Sequence, residues 1–89
     1  MTALHPGFYL SELLADRGWT QRELAERMGR SQSSISRVLS GHYPIGPRLA
    51  LDLEAVFGLQ AESWCRLQAD YEVARARAQR KAKRAPAQG

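Results

Sequence analysis

Gln32, Ser33, Ser36 and Arg37 put an amide, two hydroxyls and a guanidinium within six positions of the 89-residue chain. On a helix this spacing keeps the four on one side. Their chemistry is that of reading base edges: glutamine pairs bidentately with adenine, arginine with guanine, and serine donates or accepts. The alternative for Ser33, Ser34 and Ser36 is an ordinary polar surface turn. Acid–base catalysis is poorly served, because His5 and His42 fall before the first helix and in a loop with no evident partner. Cys65 adjoins Trp64 on an apolar stripe, where a packed thiol is the simpler reading than a nucleophile. His5 is placed to cap the first helix rather than bind metal, and no Cys/His metal spacing occurs. The expectation is a chain that is not an enzyme, with no catalytic residue, metal or cofactor.

What must position these side chains is a set of short helices punctuated by glycine. Pro6 opens the first, whose apolar face is Tyr9, Leu10, Leu13 and Leu14 and which stops at Gly18. Thr20 and Glu23 have capping-box spacing and start a second helix that buries Leu24, Ala25 and Met28 and ends at Gly29. Ser31 caps a third with Ile35, Val38 and Leu39 inward, terminated by Gly41. A fourth spans about Pro47 to Phe57, and a fifth opens near Ala61 with Trp64, Leu67 and Tyr71 on one side. No strand-like alternation or internal repeat is present.

Residues 21–40 have the spacing of a helix-turn-helix: a small residue at the closest approach (Ala25), glycine in the turn (Gly29), and aliphatic locks on the second helix (Ile35, Val38). The alternative is a merely structural helical hairpin; as a DNA-binding motif, the third helix enters the major groove, with Gln32, Ser33, Ser36 and Arg37 reading bases. Gln21 and the free amides of helix two suit a phosphate. Arg30 reaches a base or phosphate, Ser31 and Ser34 flank the contact, and Arg22 and Arg48 are phosphate contacts or solvated surface arginines.

The length fits one domain, and a chain this size buries only about 60% of its unfolded surface. Apolar residues at 44% and charged residues at 25% are near the globular average. No apolar run is long enough to span a bilayer and no secretory signal opens the chain, so a soluble cytoplasmic protein without membrane attachment is expected. A single cysteine cannot form an internal disulfide, in keeping with a reducing compartment. The net charge of +4 is unevenly spread: residues 1–74 carry seven arginines against nine acids, while residues 75–89 carry six basic residues and no acid. The division expected is a DNA-binding domain at 1–74 and a basic extension at 75–89, either a polyanion contact or a solvated helix end. Arg77 with Lys81 and Arg80 with Arg84 are like charges four apart, which predicts fraying beyond about Arg80.

From His5 to Tyr71 the sequence resembles the HigA-type antitoxins of the Xre or lambda-repressor-like helix-turn-helix group. The match is carried by His5-Pro6-Gly7, Thr20-Gln21, Glu23-Leu24-Ala25, Gly29, Ser31, Ile35-Ser36 and Gly41. It continues through Ile45, Ala50-Leu51, Leu53, Phe57-Gly58, Glu62, Trp64, Leu67-Gln68 and Tyr71. The central residues are shared by many repressors; the two ends favour HigA. The resemblance implies an all-α, five-helix lambda-repressor-like fold with an extended basic C-terminal helix or tail. It also implies a homodimer on a palindromic operator ahead of its own operon, and a HigB-like toxin, a RelE-type messenger-RNA endoribonuclease, held inactive by the antitoxin. A free-standing repressor with no toxin is the alternative. Arg30 stands where the family usually has a small aliphatic residue, and Cys65 where leucine is common. Residues 1–74 are net acidic, and Glu12 and Asp16, four apart on helix one, are the candidate toxin-binding residues against the reading of an ordinary solvated face.

Overall fold

Five α-helices make up the structure, a computed structural model that describes residues 4–88, with side-chain surroundings to residue 82. They are α1 (Pro6–Arg17), α2 (Gln21–Met28), α3 (Gln32–Leu39), α4 (Pro47–Phe57) and α5 (Ala61–Gln88), with no strand among the described residues. The boundaries follow local chemistry. Pro6 and Pro47 occupy first-turn positions, where a missing N–H costs nothing, and left-handed glycines (φ 69° at Gly18, 66° at Gly29, 84° at Gly58) close α1, α2 and α4. α3 differs from expectation at its end: Ser40, right-handed, is the cap, and Gly41 with φ 83° lies one residue beyond.

The core gathers Leu10 and Leu14 from α1, Leu24 and Ala25 from α2, and Ile35 and Val38 from α3. Ile45, then Leu49, Ala50 and Leu53 of α4, and Trp64 of α5 complete it. Trp64 is wholly buried, and its indole N–H has no acceptor among the described residues. Burying an indole removes about 200 Å² from water, roughly 5 kcal/mol, which outweighs the roughly 1–3 kcal/mol cost of an unmade hydrogen bond. Tyr9 corrects the expected face of α1. It is exposed, and Pro6 and Gly7 take the inward position beside Leu10 and Leu14.

A second cluster fixes the α1–α2 turn. The Trp19 ring lies 5.5 Å from Phe57 at the end of α4, the Arg27 guanidinium stands 4.0 Å over Trp19, and Arg17 stands 5.3 Å from both rings. Each such contact contributes about 0.5–1 kcal/mol at a partly exposed site.

α5 does not fray at Arg80 but continues to Gln88. Ala74, Ala76, Ala78 and Ala82 favour helix, and a like-charge pair four apart opposes it by only about 0.2–0.5 kcal/mol. The helix crosses the expected boundary at residue 74 without a break and draws the molecule out to 52 Å along its longest axis, against 23 and 21 Å across. Arg75, Arg77, Arg80 and Lys81 are exposed along it, while the side chains of Lys83 and Arg84 lie outside the described residues.

α1 meets α3 at its first turn, and there Gly7 leaves no room for a side chain. A Cβ at this position would stand closer than 3.0 Å to the carbonyl oxygens of Val38 and Leu39, both backbone atoms, and to the His5 ring. His5 is the N-cap residue of α1 by position, yet its side chain makes no capping bond, which corrects the expected role. The imidazole is instead packed against Gly41 and edge-on to Tyr71 of α5, ring centroids 5.8 Å apart. Gly7→Ala is therefore expected to destabilise the domain by about 1–3 kcal/mol through overpacking, a fall of several degrees in melting temperature. Urea and thermal denaturation measure it, and an unchanged midpoint would show that α1 and α3 separate without cost.

Candidate nucleic-acid interface

The helix-turn-helix is assembled from backbone chemistry outward. The Glu23 amide donates to Thr20 Oγ1 at 3.1 Å and the Thr20 amide donates to Glu23 Oε1 at 3.0 Å, so the capping box that starts α2 is complete. At the other end the Arg30 amide donates to the Ala25 carbonyl at 2.9 Å across left-handed Gly29, which turns the chain tightly enough for α3 to begin at Gln32. Ala25 is buried where α2 and α3 meet, and its methyl permits the close approach.

Ser31 caps α3, with its Oγ accepting from the Ser34 amide at 3.2 Å. It also donates to Ser34 Oγ at 2.9 Å and lies 3.3 Å from Ser33 Oγ. The hydroxyls of Ser31 and Ser34 are thus engaged with one another in holding the helix start. Ile35 and Val38 are buried and Leu39 half-buried, which leaves Gln32, Ser33, Ser36 and Arg37 exposed on the opposite side. No side-chain hydrogen bond among the described residues engages Gln32, Ser36 or Arg37. The structure brings all four proposed base readers onto one outward face, and three of them keep their donors and acceptors free.

The flanking residues divide. Gln21, first in α2, and Arg48, second in α4, are exposed at helix starts, where free amides and the positive dipole end favour an anion. Arg22 is exposed and only loosely paired with Glu26 at 3.9 Å, a contact of little energetic weight. Arg30 is engaged within the protein: its Nη2 donates to Asp52 Oδ2 of α4 at 2.7 Å, and its side chain is 28% exposed. Asp52 and the exposed Tyr43 of the loop after α3 were missed in the sequence. An acid between Leu51 and Leu53 on a helix that buries Leu49 and Leu53 was the available sign that a cation lay nearby.

Glu12 and Asp16 are both exposed on α1, one turn and two turns beyond exposed Tyr9. His42, expected to lack a partner, has one: its Nδ1 lies 2.8 Å from Ser40 Oγ. Since Ser40 Oγ donates to the Arg37 carbonyl at 3.1 Å, the imidazole N–H is the donor to Ser40, and the pair buttresses the end of α3. Cys65 is half-buried and lines a shallow apolar groove with Pro47, Leu51 and Ala61. Among the described residues no group of His, Cys, Asp and Glu side chains is gathered to hold a metal, and no helix is long and apolar enough to cross a membrane.

A helix-turn-helix family model matches residues 10–64, more than half of the chain. The uncharacterized HTH-type transcriptional regulator YddM of Escherichia coli K12 is 32% identical over 71 residues, covering 80% of this chain and 76% of that protein. An addiction module antidote protein of the HigA family from Coxiella burnetii superposes with a TM-score of 0.87 at 28% identity over 93% of this chain and 91% of its own. Antitoxin HigA of Pseudomonas aeruginosa, solved with the higBA promoter, does so with 0.84 at 26% identity over 91% and 89%. With the motif complete in both sequence and geometry, the chain belongs to the Xre-like helix-turn-helix family and has the all-α fold of its HigA-type antitoxins.

Proposed function

We propose that this protein is a sequence-specific DNA-binding autorepressor that doubles as the antitoxin of a HigBA-like toxin–antitoxin module. The observation that carries the DNA-binding part is the outer face of α3, where Gln32, Ser36 and Arg37 are exposed with their polar groups unspent while Ile35 and Val38 lock the helix to the core. Support for the antitoxin part comes from the HigA-family structures, one of them solved with its promoter. Autorepression and a RelE-like toxin partner are proposals, with exposed Glu12 and Asp16 on α1 the acidic surface offered to a basic ribonuclease. The likeness to the uncharacterized HTH-type transcriptional regulator YddM supports a transcriptional role and fits a second reading, a free-standing repressor without a toxin, as well as it fits an antitoxin. A neighbouring reading frame for a small basic RelE-like protein separates the two.

Arg37→Ala and Gln32→Ala are each expected to weaken binding to the operator by about 1–3 kcal/mol and to leave the melting temperature essentially unchanged, both residues being exposed. Titrations of the upstream region decide it; undiminished affinity in both variants would remove α3 as the reader.

One recognition helix spans too few base pairs for tight binding, so a homodimer on half-sites about 34 Å apart is proposed, formed through exposed apolar residues of α1 (Phe8, Tyr9) or α5 (Val73). Inserting five base pairs between half-sites turns them to opposite faces of the duplex and is expected to abolish tight binding. Light scattering that shows monomer alone, with and without DNA, speaks against the dimer.

For the antitoxin role, co-expression with the neighbouring toxin-like gene is expected to give a complex that purifies by a tag on either partner and to restore growth when the toxin is induced. No complex and no rescue would leave the lone repressor as the reading.

A further inference from the structure

Beside the outward face of α3 the fold leaves a cavity of about 100 Å³ lined by Arg30, Ser34, Arg37 and Tyr43. Ser34 and Arg37 stand three residues apart on one flank of α3, Arg30 precedes the helix in the turn from α2, and Tyr43 comes from the following loop. The lining is rich in donors: two guanidinium groups, a phenol and a hydroxyl. Arg30 spends Nη2 on Asp52, while its buried Nε has no acceptor among the described residues. Asp52 thus holds the Arg30 side chain and offsets one of the two positive charges. What remains suits a small, singly charged anion with several oxygens, the description of a phosphodiester.

We infer that Arg30, Arg37 and Tyr43 clamp one backbone phosphate of duplex DNA at the edge of the α3 reading face, with Asp52 holding Arg30 in place. The inference rests on the DNA-binding reading above and adds to it the group that sets the docking register. Arg37 belongs both to the reading face and to the cavity, so a duplex engaged by Gln32 and Ser36 carries its backbone past the cavity mouth. Phosphate contacts of this kind fix orientation without reading sequence.

The test is a titration of the full-length chain, wild type against Arg30→Met, Tyr43→Phe and Asp52→Asn, on the upstream duplex and on an unrelated duplex over a series of salt concentrations. Arg30→Met is expected to lower the slope of log K against log salt by about 0.9, which at 0.15 M salt is about a fivefold loss, equal on both duplexes. Tyr43→Phe removes a neutral donor and is expected to weaken both duplexes with the slope retained. Asp52→Asn leaves the Arg30 charge in place and is expected to keep or steepen the slope. A wild-type slope in Arg30→Met, or a loss confined to the upstream duplex, overturns the proposal. Should Arg30→Met lower the melting temperature enough to cloud its titration, Tyr43→Phe decides alone, since Tyr43 is 48% exposed and wild-type affinity there overturns the clamp. A melting-temperature rise with inorganic phosphate that Arg30→Met abolishes, with no change in salt slope, assigns the cavity to a free anion and likewise overturns it. If the wild type binds neither duplex, the DNA-binding reading itself falls, an outcome distinct from normal wild-type binding with unaffected variants.

Discussion

The recognition helix is held from behind by a contact that has no space for a methyl group. Gly7, in the first turn of α1, lies directly against the carbonyl oxygens of Val38 and Leu39, so the C-terminal end of α3 rests on backbone rather than on a side chain that changes rotamer. His5 extends the same contact: its ring fills the space under Gly41 and meets Tyr71 of α5 edge-on. Through these residues the start of the chain, the end of α3 and the middle of α5 share one junction. An α-helix of eight residues has little stability of its own. Its orientation comes from what it is packed upon, and here that is nearly incompressible.

The front of α3 is correspondingly free. Its hydrogen-bonding needs are met at the ends, by Ser31 at the start and by Ser40 and His42 at the finish, so the exposed side chains between them are not required for folding. Separation of this kind lets the outward residues vary while the fold persists. It accounts for how the chain superposes on HigA-family structures with TM-scores of 0.84 and 0.87 at only 26 and 28% identity.

Arg30 shows how a functional region carries a local conflict. A part-buried guanidinium at the helix-turn-helix corner is costly unless paired, and Asp52 reaches it from α4 at 2.7 Å. The pair ties the turn to α4 and leaves the buried Nε–H of Arg30 without an acceptor among the described residues. Trp64 carries a second unmet donor, but in the centre of the core, where the area it buries outweighs the loss.

Helix count, most boundaries and the outward set on α3 were legible in the sequence, because each depends on chemistry within a few residues: capping box, glycine stop, first-turn proline, and apolar spacing of three and four. Tyr9, His5 and the continuation of α5 beyond Arg80 were not. Tyr9 has helical spacing with Leu10 and Leu13, but only packing decides that Gly7, with no side chain, faces α3 while Tyr9 turns to solvent. His5 looked like a cap because position alone was visible; its partners, Gly41 and Tyr71, lie 36 and 66 residues away. The run of like charges argued for fraying past Arg80, yet alanine's preference for helix is summed over many residues and the repulsions over few. The Arg30–Asp52 pair and the cavity shared with Tyr43 belong to the tertiary structure alone, since residues 22 apart meet only once α4 has folded back across the turn. Sequence determined which residues could face outward; three-dimensional packing decided which of them were left free to act, because pairing and burial depend on neighbours distant along the chain.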